Sequence, residues 1–248
     1  MKLKDKVCIV TGATSGMGKA IAKGLSSEGA KLILSGRNQE RGMALEEGLD
    51  NAVFISGDIT DPSYNKKLVD TAIESFGKLD ILSLNAGILG LGNVQELSIE
   101  SWQKTINTNL SSIFYLCKYA LPFLLKESQG NILINASIAA FKSFPNHPAY
   151  CASKAASVAL MKQMAVDYAP KIRVNAICPG PVDTPLLWES AKAFEHPETA
   201  VEDAKNATLL KRLGTPEDIT KLVLFLVSDD SSWITGTTVT IDGGIINT

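Results

Sequence analysis

Tyr150 and Lys154 stand four residues apart, which on a helix puts a phenol and an ammonium on one face. A free phenol, with a pKa near 10, exchanges protons poorly at neutral pH. A neighbouring positive charge stabilises the phenolate and brings it closer to working range. Such tuning is what general acid–base catalysis asks of a side chain. Ser137, thirteen residues upstream, adds a hydroxyl able to bind the oxygen on which that proton would move. The three together suit proton transfer at a carbonyl or alcohol oxygen. Taken alone, the Tyr/Lys spacing also fits a plain helix-surface pair.

A second constellation lies near the start of the chain. Thr11-Gly12-Ala13-Thr14-Ser15-Gly16-Met17-Gly18 follows an apolar run and opens a periodic segment. Glycines there let the backbone turn tightly and approach a pyrophosphate, which the free N–H groups and dipole of a helix N-terminus attract. About twenty residues on, a site for NAD would carry an acid for the ribose hydroxyl. Here the run ends Leu34-Ser35-Gly36-Arg37-Asn38, so a guanidinium replaces the acid. Arg37 therefore favours NADP(H), with NAD(H) as the alternative.

These residues need a frame. Apolar runs of strand length recur at Val7–Val10, Lys31–Leu34, Ala52–Ile55, Ile81–Leu84, Asn131–Ile134, Arg173–Ile177 and Thr238–Ile241. Most are continuous rather than alternating, as expected for parallel strands covered on both faces. Between them the periodicity predicts helices over Gly18–Glu28, Tyr64–Phe76, Trp102 to about Leu125, Tyr150–Tyr168 and Pro216–Val227, with Pro122 disturbing the third near its end. The alternation predicts one α/β domain, residues 1–248: a Rossmann-type, doubly wound sheet of about seven parallel strands with helices on both faces. Ligands of such sheets bind beyond the carboxyl ends of the strands. There the sequence places the glycine loop, Arg37, Gly57-Asp58, Asn85-Ala86-Gly87, Ser137, Pro179-Gly180 and Asp242-Gly243-Gly244. Residues 184 to about 213 are too long for a plain connection and are expected to form a lid.

Composition narrows the partners. The 248 residues are 45% hydrophobic and 20% charged with net charge −2, and no basic run suits nucleic acid or anionic lipid. No segment reaches the length of a membrane span, and the N-terminal stretch is too short in apolar residues for a signal peptide. Cys8, Cys117, Cys151 and Cys178 lack metal-ligand or disulfide spacing. A soluble cytoplasmic protein without a metal is expected.

Together the motifs resemble the short-chain dehydrogenase/reductase family over essentially the whole chain. Thr11–Gly18 is similar to its T-G-x-x-x-G-x-G, Asn85-Ala86-Gly87 to its N-A-G turn, and Tyr150–Lys154 to its Y-x-x-x-K. Asn109 resembles its helix asparagine, Ser137 its serine, and Pro179-Gly180 with Thr184 its P-G…T segment. Arg212-Leu213-Gly214 with Pro216, and Ile241–Gly244, resemble C-terminal signatures. Leu84 and Ala136 depart from it, standing where many members carry Asn and Ser.

The resemblance implies an oxidoreductase in which Tyr150 exchanges the proton and Lys154 holds the nicotinamide ribose. Ser137 would polarise the carbonyl, and Asn109 would position a proton-relaying water. Gly12, Thr14, Ser15, Gly16, Met17, Gly18, Arg37, Asp58, Ile59, Asn85, Ala86, Gly87, Pro179, Gly180, Val182 and Thr184 would contact the dinucleotide, with Tyr150 and Lys154. Asp58 also reads as a turn residue, and Asn109 as a buried amide in a kinked helix. The surrounding residues, Ile88 to Leu91, Ile138 to Phe141, Phe144, His147, Leu186 to Trp188, Ile245 and Ile246, predict a neutral, fairly apolar ketone or secondary alcohol. A 3-oxoacyl-[acyl-carrier-protein] reductase and a non-catalytic dinucleotide sensor are the rival readings. The family resemblance also implies a homotetramer, or a dimer.

Overall fold

Val7 and Ile9 enter one hydrophobic layer and Cys8 and Val10 the other, so four consecutive apolar residues leave no face to water. That two-sided burial is the reason the apolar runs are continuous. The computed structural model describes residues 1–127 and 129–248. Its strands are β1 Val7–Val10, β2 Lys31–Gly36, β3 Ala52–Ser56, β4 Ile81–Leu84, β5 Gly130–Asn135, β6 Ile172–Pro179 and β7 Thr238–Ile241. They lie in the order β3-β2-β1-β4-β5-β6-β7, paired in parallel throughout. The order reverses between β1 and β4, which opens a crevice at their carboxyl ends.

Helices α1 (Gly16–Ser27), α2 (Gln39–Glu47), α3 (Pro62–Phe76), α4 (Ile99–Ile106), α5 (Ser112–Leu124), α6 (Pro148–Tyr168), α7 (Pro185–Ala191), α8 (Pro197–Ala207) and α9 (Pro216–Val227) connect the strands. Ile21 and Leu25 of α1 pack with Ile219 and Val223 of α9 on one face of the sheet. Leu68 of α3, Leu116 of α5 and Met161 of α6 cover the other. Five of these helices begin on proline, whose fixed φ suits the first turn and whose missing N–H costs nothing there.

The structure departs from the sequence reading in two places. Residues 39–47 form α2, capped by Asn38 accepting from the Arg41 amide at 2.8 Å. Only Gly42 and Leu45 of that helix are buried, too few for a periodic signal. The helix expected from Trp102 to Leu125 is α4 and α5 joined by a π-helical turn, Asn107–Ser111; Pro122 lies inside α5, two residues before its end. The segment expected to form a lid contains α7 and α8.

Candidate active site

The turn after β1 carries the chain into α1, and its glycines are there for space. Gly12 adopts φ +65°, and a Cβ on it would lie 3.0 Å from the Ala86 amide nitrogen. On Gly18 it would meet the Gly12 carbonyl oxygen at 2.3 Å. Only bare backbone lets this turn close so tightly. Ser15 occupies the N-cap of α1 without a side-chain cap bond, so the helix end is open to an anion. It faces a cleft of about 660 Å³ lined by Gly12, Thr14, Ser15, Gly16, Met17, Gly18, Arg37, Asp58, Ile59, Asn85, Ala86, Gly87 and Thr184. An open helix end in a long polar cleft fits a dinucleotide.

Thr11 ties the opposite wall in place. Its buried hydroxyl accepts hydrogen bonds from the amides of Asn85 (2.9 Å) and Ala86 (3.1 Å), pinning the turn after β4 to the glycine turn. At the far end of the cleft Asp58 accepts from the backbone N–H and hydroxyl of Thr60 at 2.9 and 2.8 Å. That backbone bond holds its carboxyl below the usual range, with the Thr60 hydroxyl, Arg37 and Lys104 adding to the effect. Asp58 is thus both a turn residue and a wall of the cleft. Lys104, on α4, gives this end a second cation that no motif indicated.

Tyr150 and Lys154 project from the first turns of α6, where Pro148 sets the helix start. Lys154 is 6% exposed and donates from Nζ to the Asn135 carbonyl oxygen at 2.7 Å. Burial pushes its pKa down to about 8. The ammonium lies 5.6 Å from the centre of the Tyr150 ring. Burial pushes the Tyr150 phenol up to about 12, opposed by its hydrogen bond with Ser137. The downward shift expected from Lys154 does not appear: in the chain by itself, desolvation outweighs the Ser137 hydrogen bond.

Asn109 sits in the π-helical turn with its amide fully engaged. Oδ1 accepts from the Ile88 amide at 2.9 Å, and Nδ2 donates to the Ile88 carbonyl (2.9 Å) and the Ser153 hydroxyl (3.0 Å). It locks the strand β4 turn to α6; the side chain has no donor left for a water. Asn135 escaped the sequence reading, because the group that anchors Lys154 is a main-chain carbonyl. Its own side chain spans towards Asn85 at 3.4 Å.

A second cavity, about 460 Å³, opens from Ser137 and Tyr150 towards α7 and α8. Pro179, Gly180 and Val182 line this chamber rather than the dinucleotide cleft, and Lys154 and Asn109 lie behind the walls of both. Of the expected substrate wall, Leu89, Ile138, Phe144, His147, Leu186, Leu187 and Ile245 are in place. Phe141 and Trp188 point away: both are about half exposed, and the Trp188 indole donates to Asp183 at 2.9 Å. Ala200, Ala204 and Ala207 of α8 complete the distal end, which the sequence reading missed.

An α/β protein with an open helix end at its sheet crevice and an acid–base pair at the inner wall is built as a dinucleotide-dependent oxidoreductase. Known proteins agree. The family described as enoyl-(acyl carrier protein) reductase matches residues 12–246. The chain is 37% identical over 264 residues to 3beta-hydroxysteroid dehydrogenase of Mediterraneibacter gnavus, covering 98% of this chain and 95% of that protein. It is 34% identical over 252 residues to 3-oxoacyl-[acyl-carrier-protein] reductase of Thermotoga maritima, covering 99% and 100%. The crystal structure of levodione reductase superposes with a TM-score of 0.93 at 31% identity, over 98% of each chain. This chain belongs to the short-chain dehydrogenase/reductase family and is an NAD(P)-dependent oxidoreductase.

Proposed function

We propose that the chain interconverts a neutral, fairly apolar ketone and its secondary alcohol, using NADP(H) in preference to NAD(H). The observation that carries this reading is the wall of the 460 Å³ chamber. It starts at Ser137 and Tyr150, is mostly apolar, and includes no lysine or arginine. Its acidic members, Glu195 and Asp203, would repel a carboxylate, a phosphate or an acidic carrier protein. A chamber of this size and polarity suits a compact hydrophobic molecule with one polar end. The 3beta-hydroxysteroid dehydrogenase relative acts on a molecule of that kind.

The nicotinamide, when bound, gives or takes the hydride. Everything else falls to the chain. Ser137 binds the carbonyl oxygen and orients it towards Tyr150, whose phenol donates the proton in reduction and accepts it in oxidation. Lys154, held by the Asn135 carbonyl, keeps a positive charge behind the phenol. Asn109 fixes the turn at Ile88 against α6, so that the cleft and the acid–base pair keep one geometry. Gly12, Gly16 and Gly18 admit the pyrophosphate, while Asn85 and Gly87 line the way to the reacting end. Thr184 would meet the carboxamide. Arg37, exposed at the far end with Lys104 across from it, would hold the 2′-phosphate.

Residues 184–213 act as a lid over the chamber, α7 and α8 supplying its outer wall. The chain works in the cytoplasm. It assembles as a homotetramer or dimer, a reading supported by exposed Phe114 on α5 and Val166 on α6. Among the described residues no helix is long and apolar enough to cross a membrane.

The test is a substrate panel with both cofactors. Neutral cyclic and aryl ketones should turn over with NADPH at least tenfold more efficiently than with NADH. Tyr150→Phe should lower kcat about 10²–10⁴-fold. Turnover confined to anionic ketoacids or to acetoacetyl carrier protein would overturn the substrate assignment. An unchanged rate in Tyr150→Phe would overturn the role of the phenol.

A further inference from the structure

His147 lies three residues before Tyr150, 2% exposed, in the wall of the chamber. A ring so placed invites a role in binding substrate, but both its nitrogens are occupied. Nδ1 stands 2.5 Å from the Pro145 carbonyl oxygen, which can only accept, so Nδ1 carries the proton. In the neutral ring Nε2 is then an acceptor, and the Ser190 hydroxyl donates to it at 2.8 Å. Burial holds the imidazole below its ordinary pKa, which favours the neutral ring, and the Pro145 carbonyl selects this tautomer. Ser190 belongs to α7, the near half of the lid segment.

The next residue upstream makes a parallel contact. Asn146, in the left-handed region at φ +57°, donates from Nδ2 to the Ala193 carbonyl at 2.8 Å. Adjacent residues at the entry to α6 thus grip the α7–α8 segment at two points, three residues apart. The His147 ring also packs edge-on against the Tyr150 ring, 6.2 Å between centres, and lies 6.1 Å from the Phe194 ring of the lid segment. The imidazole is wedged between the lid and the phenol.

We infer that His147 is a positioning residue: through Ser190 it clamps α7 over the chamber, coupling the closed lid to the setting of Tyr150. Its ring touches neither cofactor nor reacting oxygen in this role. The clamp acts on how the ketone is held, so its loss falls chiefly on KM for the ketone and little on KM for the cofactor.

Ser190, half-buried, also lines the chamber, so Ser190→Ala removes the donor there and leaves the buried core intact, and Ser190→Thr restores it. Steady-state kinetics and limited trypsin digestion read the result. Lys192, exposed between α7 and α8, is the cleavage site that reports lid opening. Expected for Ser190→Ala are a ketone KM raised about tenfold, a cofactor KM within twofold, and cleavage at Lys192 several-fold faster. Ser190→Thr should return all three towards wild type. His147→Asn should reproduce the loss, and combining it with Ser190→Ala should add little, as for two ends of one contact. Wild-type cleavage in Ser190→Ala would overturn the clamp. Faster cleavage with an unchanged ketone KM would overturn its coupling to the site. The kinetic arm rests on the chamber being the ketone site; the digestion arm does not, so the two failures are told apart.

Discussion

Replacing Thr11 by valine keeps the shape of a buried side chain and deletes one oxygen. That oxygen accepts from the Asn85 amide at 2.9 Å and the Ala86 amide at 3.1 Å. The new methyl fills its place and excludes water, so both donors lose their partner. An unsatisfied buried donor costs about 1–3 kcal/mol. Both amides here are partly buried, which puts each towards the lower end and the pair at about 2–4 kcal/mol. In a chain of 248 residues, that lowers Tm by about 4–16 °C at roughly 2–4 °C per kcal/mol. Thr11→Ser is the control, since it keeps the acceptor and loses one methyl, worth about 0.8 kcal/mol. The turn so loosened is the wall that a Cβ on Gly12 would strike, so dinucleotide binding should weaken together with stability. Thermal melts and calorimetric titration with NADPH, run on both variants, make the comparison. A Thr11→Val protein that melts with Thr11→Ser and binds cofactor as tightly would refute the claim that this hydroxyl holds the two turns together.

Other perturbations address the glycine turn and the acid–base pair. Gly18→Ala places a Cβ 2.3 Å from the Gly12 carbonyl, backbone against backbone, so the turn must open; the Kd for NADPH, followed by nicotinamide fluorescence, should rise more than tenfold. Lys154, with a folded pKa of about 8 against 10.5 unfolded, releases its proton earlier in the folded chain. Between those values the unfolded chain binds more protons, so stability rises with pH. Relative to Lys154→Met, the wild type should gain about 1–2 kcal/mol in urea unfolding between pH 7 and 9.5; a constant difference would contradict the burial of a titrating amine. Tyr150, raised to about 12, should contribute no phenolate absorbance below about pH 11 in the cofactor-free chain. A Tyr150→Phe difference titration near 295 nm checks this.

The strands were legible because two-sided burial writes itself as uninterrupted apolar residues. Val7–Val10, Ile81–Leu84 and Thr238–Ile241 have the bounds read from sequence, and the others differ by a residue or two at their ends. The carboxyl-end rule then gathered many of the residues that line the two cavities, since small and polar residues fall at those turns. Helix α2 left a faint trace because it packs on the sheet edge through Gly42 and Leu45 alone. The π-helical turn is a matter of which carbonyl each amide meets, and side-chain spacing does not encode that. Asn135 serves Lys154 through its main chain, where one residue type reads like another. His147 was legible as a wall residue, but its partner Ser190 lies 43 positions away on a helix that the sequence did not delimit. The direction of the Tyr150 shift depends on how much water the fold removes, a quantity absent from any motif.

The dinucleotide cleft and the apolar chamber share only Met17, Thr184 and Leu186 among the residues that line them. Two rooms with so short a common wall can be refurnished separately. Phe144, Val201, Ala204 and Ile245 bound the chamber alone, so substitutions there reshape it and leave the wall of the cleft untouched. Arg37, Asp58 and Lys104 bound the cleft alone, so substitutions there leave the wall of the chamber untouched. The three shared residues are the exception, where bulk added for one occupant is taken from the other. A fold partitioned this way can remodel one compartment by substitution in its wall while the other keeps its shape.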